Sequence, residues 1–471
     1  MKYGLLVLIV VVCLAVGLPA TVENAWSFAS SPHFEIYTTV GTRRARETLT
    51  YFESLRAALS QVLNVAPPSG RPVRLIVFAN QREFRPYRVN ETAAAYFRPG
   101  VDRDYIVMPL AGADTYRIAT HEYAHLVFAR PGGRYPLWLN EGLAEYFATL
   151  TFSGRLMTVG TAPADRVQEL ALQRLLPLDR IFAVTTRSPE YRSQGPSGEF
   201  YAESWALTHM LLRNDHYSAN ASRFLSMVRT GAESATALES VFQKPLKTVL
   251  SELHDYVYDG RFMARTTAYT PPESVAILNE RALSTFDAGL VMADLLAAGR
   301  EDRSRARSAF EELARQKPDD LRLLEARATF EARSNQPRAA LPIFARAIEL
   351  GSTNPGTYRD YAELLGATDP ERAEQLLRAA VSLDPADVRT RVRLAQTLLV
   401  RSQPADALAT LDSVADESST DAFAVVQIRV NAYLALKRMD QALGAARQLD
   451  ALAVNRLQHA IAARLLARSS P

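Results

Sequence analysis

The chain has 471 residues, with 54 Lys and Arg against 51 Asp and Glu, for a formal charge of +3. So small a net charge, with no basic run interleaved with aromatics, argues against a nucleic-acid partner. The length allows two or three domains, each with its own core.

Residues 1–25 open with Met1-Lys2, continue as an apolar run over 5–18 and pass through Pro19-Ala20. One basic residue, a short apolar stretch and a small residue near its end have the form of a secretory signal peptide. The run is short for a membrane span of about 20 residues. No Ala-x-Ala site is present, so an uncleaved N-terminal membrane anchor is the alternative. Either way the remaining chain is expected beyond the cytoplasmic membrane: periplasmic, secreted or anchored at its N terminus. The only cysteine, Cys13, lies inside the apolar run, so a processed chain has no disulfide framework and no thiolate to hold a metal. Val12 stands where lipidation of that cysteine needs a small residue.

From Trp26 the chain alternates strand and helix signals. His33-Phe34-Glu35-Ile36-Tyr37-Thr38-Thr39 has the branched and aromatic content of a strand, and so has Val73-Arg74-Leu75-Ile76-Val77-Phe78. Between them, residues 43–63 show helical spacing with Phe52, Leu55, Leu59 and Leu63 on one side. Tyr96-Phe97 and residues 105–108 bracket Pro99-Gly100, which predicts a hairpin. A small sheet packed on helices is therefore expected ahead of residue 115, and mostly helix follows residue 145.

Thr120-His121-Glu122-Tyr123-Ala124-His125 comes next, followed by Trp138-Leu139-Asn140-Glu141-Gly142-Leu143-Ala144-Glu145. Residues four apart share a helix face, so His121 and His125 can point at one ion. Glu122 is offset around the helix and can address a water on that ion. A hydrolytic zinc takes three protein ligands and leaves one position open, and Glu141 is the candidate third ligand. Glu141 lies 16 residues after His125, a gap that allows a turn through Pro131-Gly132-Gly133 and the antiparallel return of a second helix. Glu145, one helical turn on, can accept a hydrogen bond from the far nitrogen of a ligand imidazole.

HEYAH followed by WLNEGLAEYF resembles the gluzincin metallopeptidases, the clan of thermolysin and the zinc aminopeptidases, and most of all their compact peptidase-MA-like bacterial branch. The resemblance covers about residues 115–215 in its catalytic part. It implies a zincin-like α+β fold with one Zn2+ held by His121, His125 and Glu141. It further implies Glu122 as general base and Glu145 as a carboxylate behind a ligand histidine. In the aminopeptidase branch a tyrosine some sixty residues after the ligand glutamate stabilises the oxyanion. Tyr201, 60 residues after Glu141 and opening a helical stretch, matches it. The Gly-x-Met-Glu-Asn segment that captures a free amino terminus in that branch is missing here, so endopeptidase action is favoured over aminopeptidase action. The clan lines its cleft with a strand that pairs with extended substrate, a place that residues 104–110 are expected to fill. His209 is read as structural, and His216, His33, His254 and His459 receive no role. The Pro, Ser and Gly content of 185–198 marks an exposed loop ahead of Tyr201.

The composition shifts after residue 265, and Pro271-Pro272 suggests a linker over 266–281. An internal repeat follows over 282–471: Ala306, Ala340, Ala373, Ala407 and Ala442 are spaced by 34, 33, 34 and 35 residues. Four residues after each stand Phe310, Phe344, Leu377, Leu411 and Ala446, and seven after each Leu313, Ala347, Ala380, Val414 and Leu449. This resembles the tetratricopeptide repeat in about five copies, with Pro318 and Pro385 at turns that close repeats. The resemblance implies an all-α solenoid that binds peptide or protein. The combined expectation for 26–265 plus the repeats is an exported zinc peptidase acting on peptide or protein, with the solenoid recruiting a protein partner. The alternative is an inactive interaction scaffold that retains a zinc-binding domain. The intact Glu122 favours the first, because a structural metal site has no use for a base beside its ligands.

Overall fold

The computed structural model describes residues 25–63, 72–91, 93–100, 103–110, 114–128, 135–172, 174–192, 198–272, 274–334, 337–366, 368–412, 414, 422–453 and 456–469. The apolar run of the N terminus and the Pro131-Gly132-Gly133 turn lie outside them. Among the described residues, no helix is long and apolar enough to cross a membrane. The chain divides into two compact units, one to Ala288 and one from Gly289.

The first unit is α+β. Its main sheet contains β1 (Ser27–Ser30), β2 (Phe34–Thr38), β3 (Val73–Phe78), β4 (Tyr96–Arg98), β5 (Tyr105–Pro109) and β9 (Asn279–Ala282), in the order β4-β5-β3-β2-β1-β9. β2, β3 and β5 run parallel, and the other pairings are antiparallel. The interior strands β3 and β5 are nearly continuous apolar runs because both of their faces are covered. Helix α1 (Thr42–Leu63) presents Leu49, Phe52, Leu55 and Leu59, each at most 1% exposed, to that core. Its Glu53 pins the β1–β2 turn, accepting from the Ser31 hydroxyl at 2.7 Å and lying 2.8 Å from His33 Nδ1. His33 thus has a structural place.

A short α2 (Gln81–Phe84) leads to β4, and α3 (Thr115–Phe128) and α4 (Leu137–Ala148) follow the sheet. Around them stand α5 (Ala164–Leu172), α6 (Leu178–Ala183), α7 (Pro189–Arg192), α8 (Glu199–Arg213), α9 (Asp215–Ser218), α10 (Ala221–Arg229), α11 (Ser234–Phe242) and α12 (Leu246–Asp259). Helix α4 is buried almost all round, which its apolar composition allows. Gly142 lets α8 approach closely: a Cβ there would meet Thr208 Oγ1 at 2.1 Å and the Ser204 carbonyl at 2.4 Å.

Two differences from the sequence reading concern strands. The stretch 266–281 is not a free linker. β8 (Arg265–Ala268) joins β6 (Thr151–Ser153) and β7 (Leu156–Val159) in a three-stranded sheet of order β6-β7-β8, and β9 pairs with β1. Both strands are edges with mostly exposed side chains, so they carry no apolar signal to read. The strand expected to line the cleft, 104–110, is β5, which lies between β3 and β4; the sheet edge is β4.

The second unit is all helical among its described residues. Helix α13 (Thr285–Ala297), which crosses the unit boundary, is followed by α14 (Arg303–Gln316). The pairs α15 (Leu321–Ala332) with α16 (Leu341–Glu349), and α17 (Pro355–Leu365) with α18 (Pro370–Leu383), come next. Then follow α19 (Val388–Val400) with α20 (Pro404–Leu411), α21 (Ala422–Ala435) with α22 (Met439–Ala451), and a last helix, α23 (Arg456–Ser469). Ala306, Ala340, Ala373, Ala407 and Ala442 are each at most 1% exposed, and every apolar residue four and seven positions later is buried. The small residue lets each second helix close on its neighbour, where Ala328, Ala362 and Ala395 are equally buried. Asp320, Asn354, Asp369 and Asp387 cap helix starts with their side chains. Pro318 and Pro385 stand between one pair and the next, as a residue without an amide hydrogen should.

Candidate metal centre

Helices α3 and α4 pack against each other in the first unit. His121 and His125, one turn apart on α3, turn their Nε2 atoms to within 3.0 Å of each other. Glu141 enters from the second turn of α4, with Oε2 3.4 Å from each of those nitrogens. These three are the His, Cys, Asp and Glu cluster among the described residues whose donor atoms converge as a metal-ligand set, all within 4.8 Å of one another. Bonds of about 2.0–2.1 Å to a tetrahedral zinc would set donors about 3.3–3.4 Å apart. The two Glu141 contacts match that spacing, and the pair of imidazoles is slightly tighter.

Each donor is held from behind. His121 Nδ1 lies 3.2 Å from Glu145 Oε1, and the Asn140 side-chain amide lies 3.0 Å from His125 Nδ1. Glu145 is gripped by Arg166, which donates from Nε at 3.0 Å and from Nη2 at 2.9 Å. Arg117, one turn before His121, reaches Glu145 at 3.7 Å and Asp165 at 2.9 Å. Glu122 faces elsewhere: its Oε2 accepts the backbone N–H of Phe97 on the edge strand at 2.7 Å. That bond ties the candidate base to β4.

The electrostatics follow from burial against pairing. Burial works against charge on His121, but hydrogen bonds to Glu141 and Glu145 hold it up at about 10. Burial likewise opposes the charge on Glu145, yet His121 and Arg166 hold its carboxyl down at about 2. Glu141 is also held low, against its burial, by the two imidazoles.

A cavity of about 1120 Å³ opens over the cluster. Residues of β4 and the segment before it form one wall, and Ile118, Phe128, Tyr135 and Leu137 supply apolar surface. Tyr201 lines this cavity, with the ring of Tyr191 stacked on it, centroids 5.8 Å apart. It is Tyr191, on α7, whose Oη reaches Glu141 Oε1, at a long 3.4 Å. Burial and the Glu141 charge push the Tyr191 hydroxyl up to about 12, so it stays a donor.

His209 is brought elsewhere. It is fully buried, 2.7 Å from the Tyr256 hydroxyl and 2.8 Å from the Gly160 carbonyl, and burial lowers it to about 4. Sequence reasoning missed Asn140, Arg166, Phe97 and Tyr191. Asn140 alone carried a signal, since it precedes Glu141 at the start of α4. The other three reach the centre from separate elements.

Comparison with known families places residues 117–236 in a match to a protein of unknown function (DUF1570). That span contains His121, Glu122, His125, Glu141, Glu145, Arg166, Tyr191 and Tyr201. Residues 364–429 match the tetratricopeptide repeat, so the second unit carries such repeats. No curated protein matches the chain. Among solved structures, the chain is similar to YrrB, described as a TPR protein with an unusual peptide-binding site. The identity is 16% over 38% of this chain and 91% of that one, with a TM-score of 0.34. It is also similar to TTC0263, a thermophilic TPR protein of Thermus thermophilus, at 17% identity over 39% and 98% of the two chains and a TM-score of 0.28. A tetratricopeptide repeat protein from Parabacteroides merdae ATCC 43184 is 14% identical over 56% and 95%, with a TM-score of 0.27.

Proposed function

We propose that the first unit is a zinc-dependent peptidase of the gluzincin type, favouring internal bonds, and that the repeats recruit a protein partner or substrate. The observation that carries the reading is the convergence of His121, His125 and Glu141, with Glu122 beside them but outside the donor set. A closed structural site would need a fourth protein ligand. Here the fourth side faces the cavity. Bound zinc would supply positive charge that acidifies a water and polarises a carbonyl.

The chain's own groups do the rest. An extended peptide adds along the outer edge of β4, which lines the cavity. Glu122, oriented by the Phe97 amide, takes a proton from the attacking water and delivers it to the leaving amine. Glu145 and Arg166 hold His121 in one tautomer, with Nδ1 donating to the carboxylate. Asn140 does the same for His125 when its amide oxygen faces Nδ1. Export is part of the proposal, on the character of residues 1–25 and the placement of the one cysteine within them.

The test is cleavage of a peptide library by the zinc-loaded chain from Trp26 onward, read by mass spectrometry beside bound-zinc analysis. Glu122→Gln is expected to lower turnover by about 10²–10⁴-fold while zinc stays bound. His125→Ala is expected to lose stoichiometric zinc. Cleavage indifferent to Glu122→Gln, or full zinc in His125→Ala, would overturn the reading. Stepwise loss from the amino terminus would turn it to an aminopeptidase.

A further inference from the structure

Glu141 divides its two oxygens. Oε2 faces both imidazoles, while Oε1 accepts from the Tyr191 hydroxyl. Tyr201 lies behind Tyr191: the rings stack with centroids 5.8 Å apart and planes 23° apart, which sets the two phenols side by side. Tyr201 is 6% exposed, and the Arg166 guanidinium sits 5.8 Å from its ring centroid. Tyr191 is half-buried and lines the cavity.

We propose that Tyr191 is the phenol facing the reacting centre and that Tyr201, the residue the family resemblance points to, is a positioning residue acting through it. The inference rests on the peptidase reading above. The contact with Glu141 decides the roles, since the group that touches the ligand carboxylate is the one able to meet a carbonyl polarised there, and Tyr201 meets the centre only through the Tyr191 ring. While substrate is absent, Tyr191 fixes which Glu141 oxygen faces the imidazoles. When substrate arrives, the same O–H turns from Oε1 to the carbonyl oxygen, where charge develops.

The placement of Tyr191 is built rather than incidental. Phe200 meets its ring edge-on at 6.1 Å while Tyr201 stacks on it. Its neighbour Glu190 is clamped by Arg180 at 2.9 Å, which anchors the short α7 to α6. Tyr201 therefore orients the Tyr191 ring from one side and Phe200 from the other.

The experiment compares Tyr191→Phe, Tyr201→Phe and the double variant in the full chain. It reads kcat and KM on the best-cut library peptide, and zinc affinity by competition with a chelator. Tyr191→Phe is expected to lower kcat by about 10²–10³-fold with little change in KM. It should also weaken zinc by about tenfold, through the loosened Glu141. Tyr201→Phe should cost less in both, and adding it to Tyr191→Phe should cost nothing further, as for a residue that acts only through its neighbour. A larger loss from Tyr201→Phe, or additive losses, would overturn the assignment. Should the wild type bind zinc and cut no peptide, the peptidase reading fails and the zinc arm decides Tyr191 alone: equal affinities would overturn its role. A wild type that binds no zinc would overturn both.

Discussion

In the first unit one cluster of buried charges is drawn together at α3, α4 and α5, whereas in the second the ion pairs are dealt out along the repeats. Glu141, Glu145 and Arg166 are each less than 5% exposed and form one network with His121. In the repeats, Arg307–Glu331, Arg333–Asp360, Arg359–Asp387 and Glu374–Arg401 join neighbouring helices or their caps, at separations of 24, 27, 28 and 27 residues. The first arrangement makes every member depend on the others, because removing one leaves a charge stranded in low dielectric. The second gives each interface its own modest pair, as expected where a repeat contacts only its neighbours. The cluster of the first unit lines a cavity, and the pairs of the second join one helix to the next.

This contrast breaks most visibly at Arg166. Replacing it with Leu leaves Glu145 without its bidentate partner, and a loss of about 3–5 kcal/mol is expected from stranding a buried charge. Hydrogen exchange of the α4 and α5 amides would read it, and protection equal to wild type would show that the network is not cooperative.

Next in size comes a pH effect at Glu203, on α8. Its Oε1 accepts the Leu176 amide at 2.9 Å, its Oε2 has no hydrogen-bond partner, and burial pushes the carboxyl from 4.5 up to about 8. A folded-state value above the unfolded one means that the folded chain holds the proton more tightly. The associated stability is full below about pH 4.5 and declines as pH rises to about 8. Glu203→Gln keeps the acceptor without the charge, so it should match wild type near pH 4.5 and be more stable by a few kcal/mol above pH 8. Urea unfolding of both forms across that range is the measurement, and parallel curves would remove Glu203 from the pH dependence.

The smallest effect is expected in the repeats. Arg307 is 42% exposed on its side chain, so its bidentate bond to Glu331 is screened by water, and Arg307→Ala should cost about 0–1 kcal/mol. The loss should be confined to exchange in α14 and α15. Protection lost across the whole second unit would argue against independent repeat interfaces.

What was legible in the sequence depended on locality. The pairing of His121 with His125 needs only the helical period, and Glu145 follows Glu141 by the same rule. The repeat was readable because each copy restates one local contact, a small residue beneath a facing helix. The main strands β2, β3 and β5 announced themselves as apolar runs, and the hairpin of β4 with β5 by its Pro99-Gly100 turn. The edge strands β8 and β9 were silent, since backbone pairing rather than side-chain burial holds them.

The sequence by itself therefore marked the pairing of His121 with His125, that of Glu141 with Glu145, and the helical repeat, because these follow from periods of about 3.6 and 34 residues within continuous chain. Tertiary structure alone decided that β4 rather than β5 is the outer strand, that Phe97 holds Glu122, that Arg166 backs Glu145 and that Tyr191 stands between Tyr201 and Glu141. Each of these joins elements separated by loops of no fixed geometry. Their meeting is set by the packing of the core as a whole, which no local period encodes.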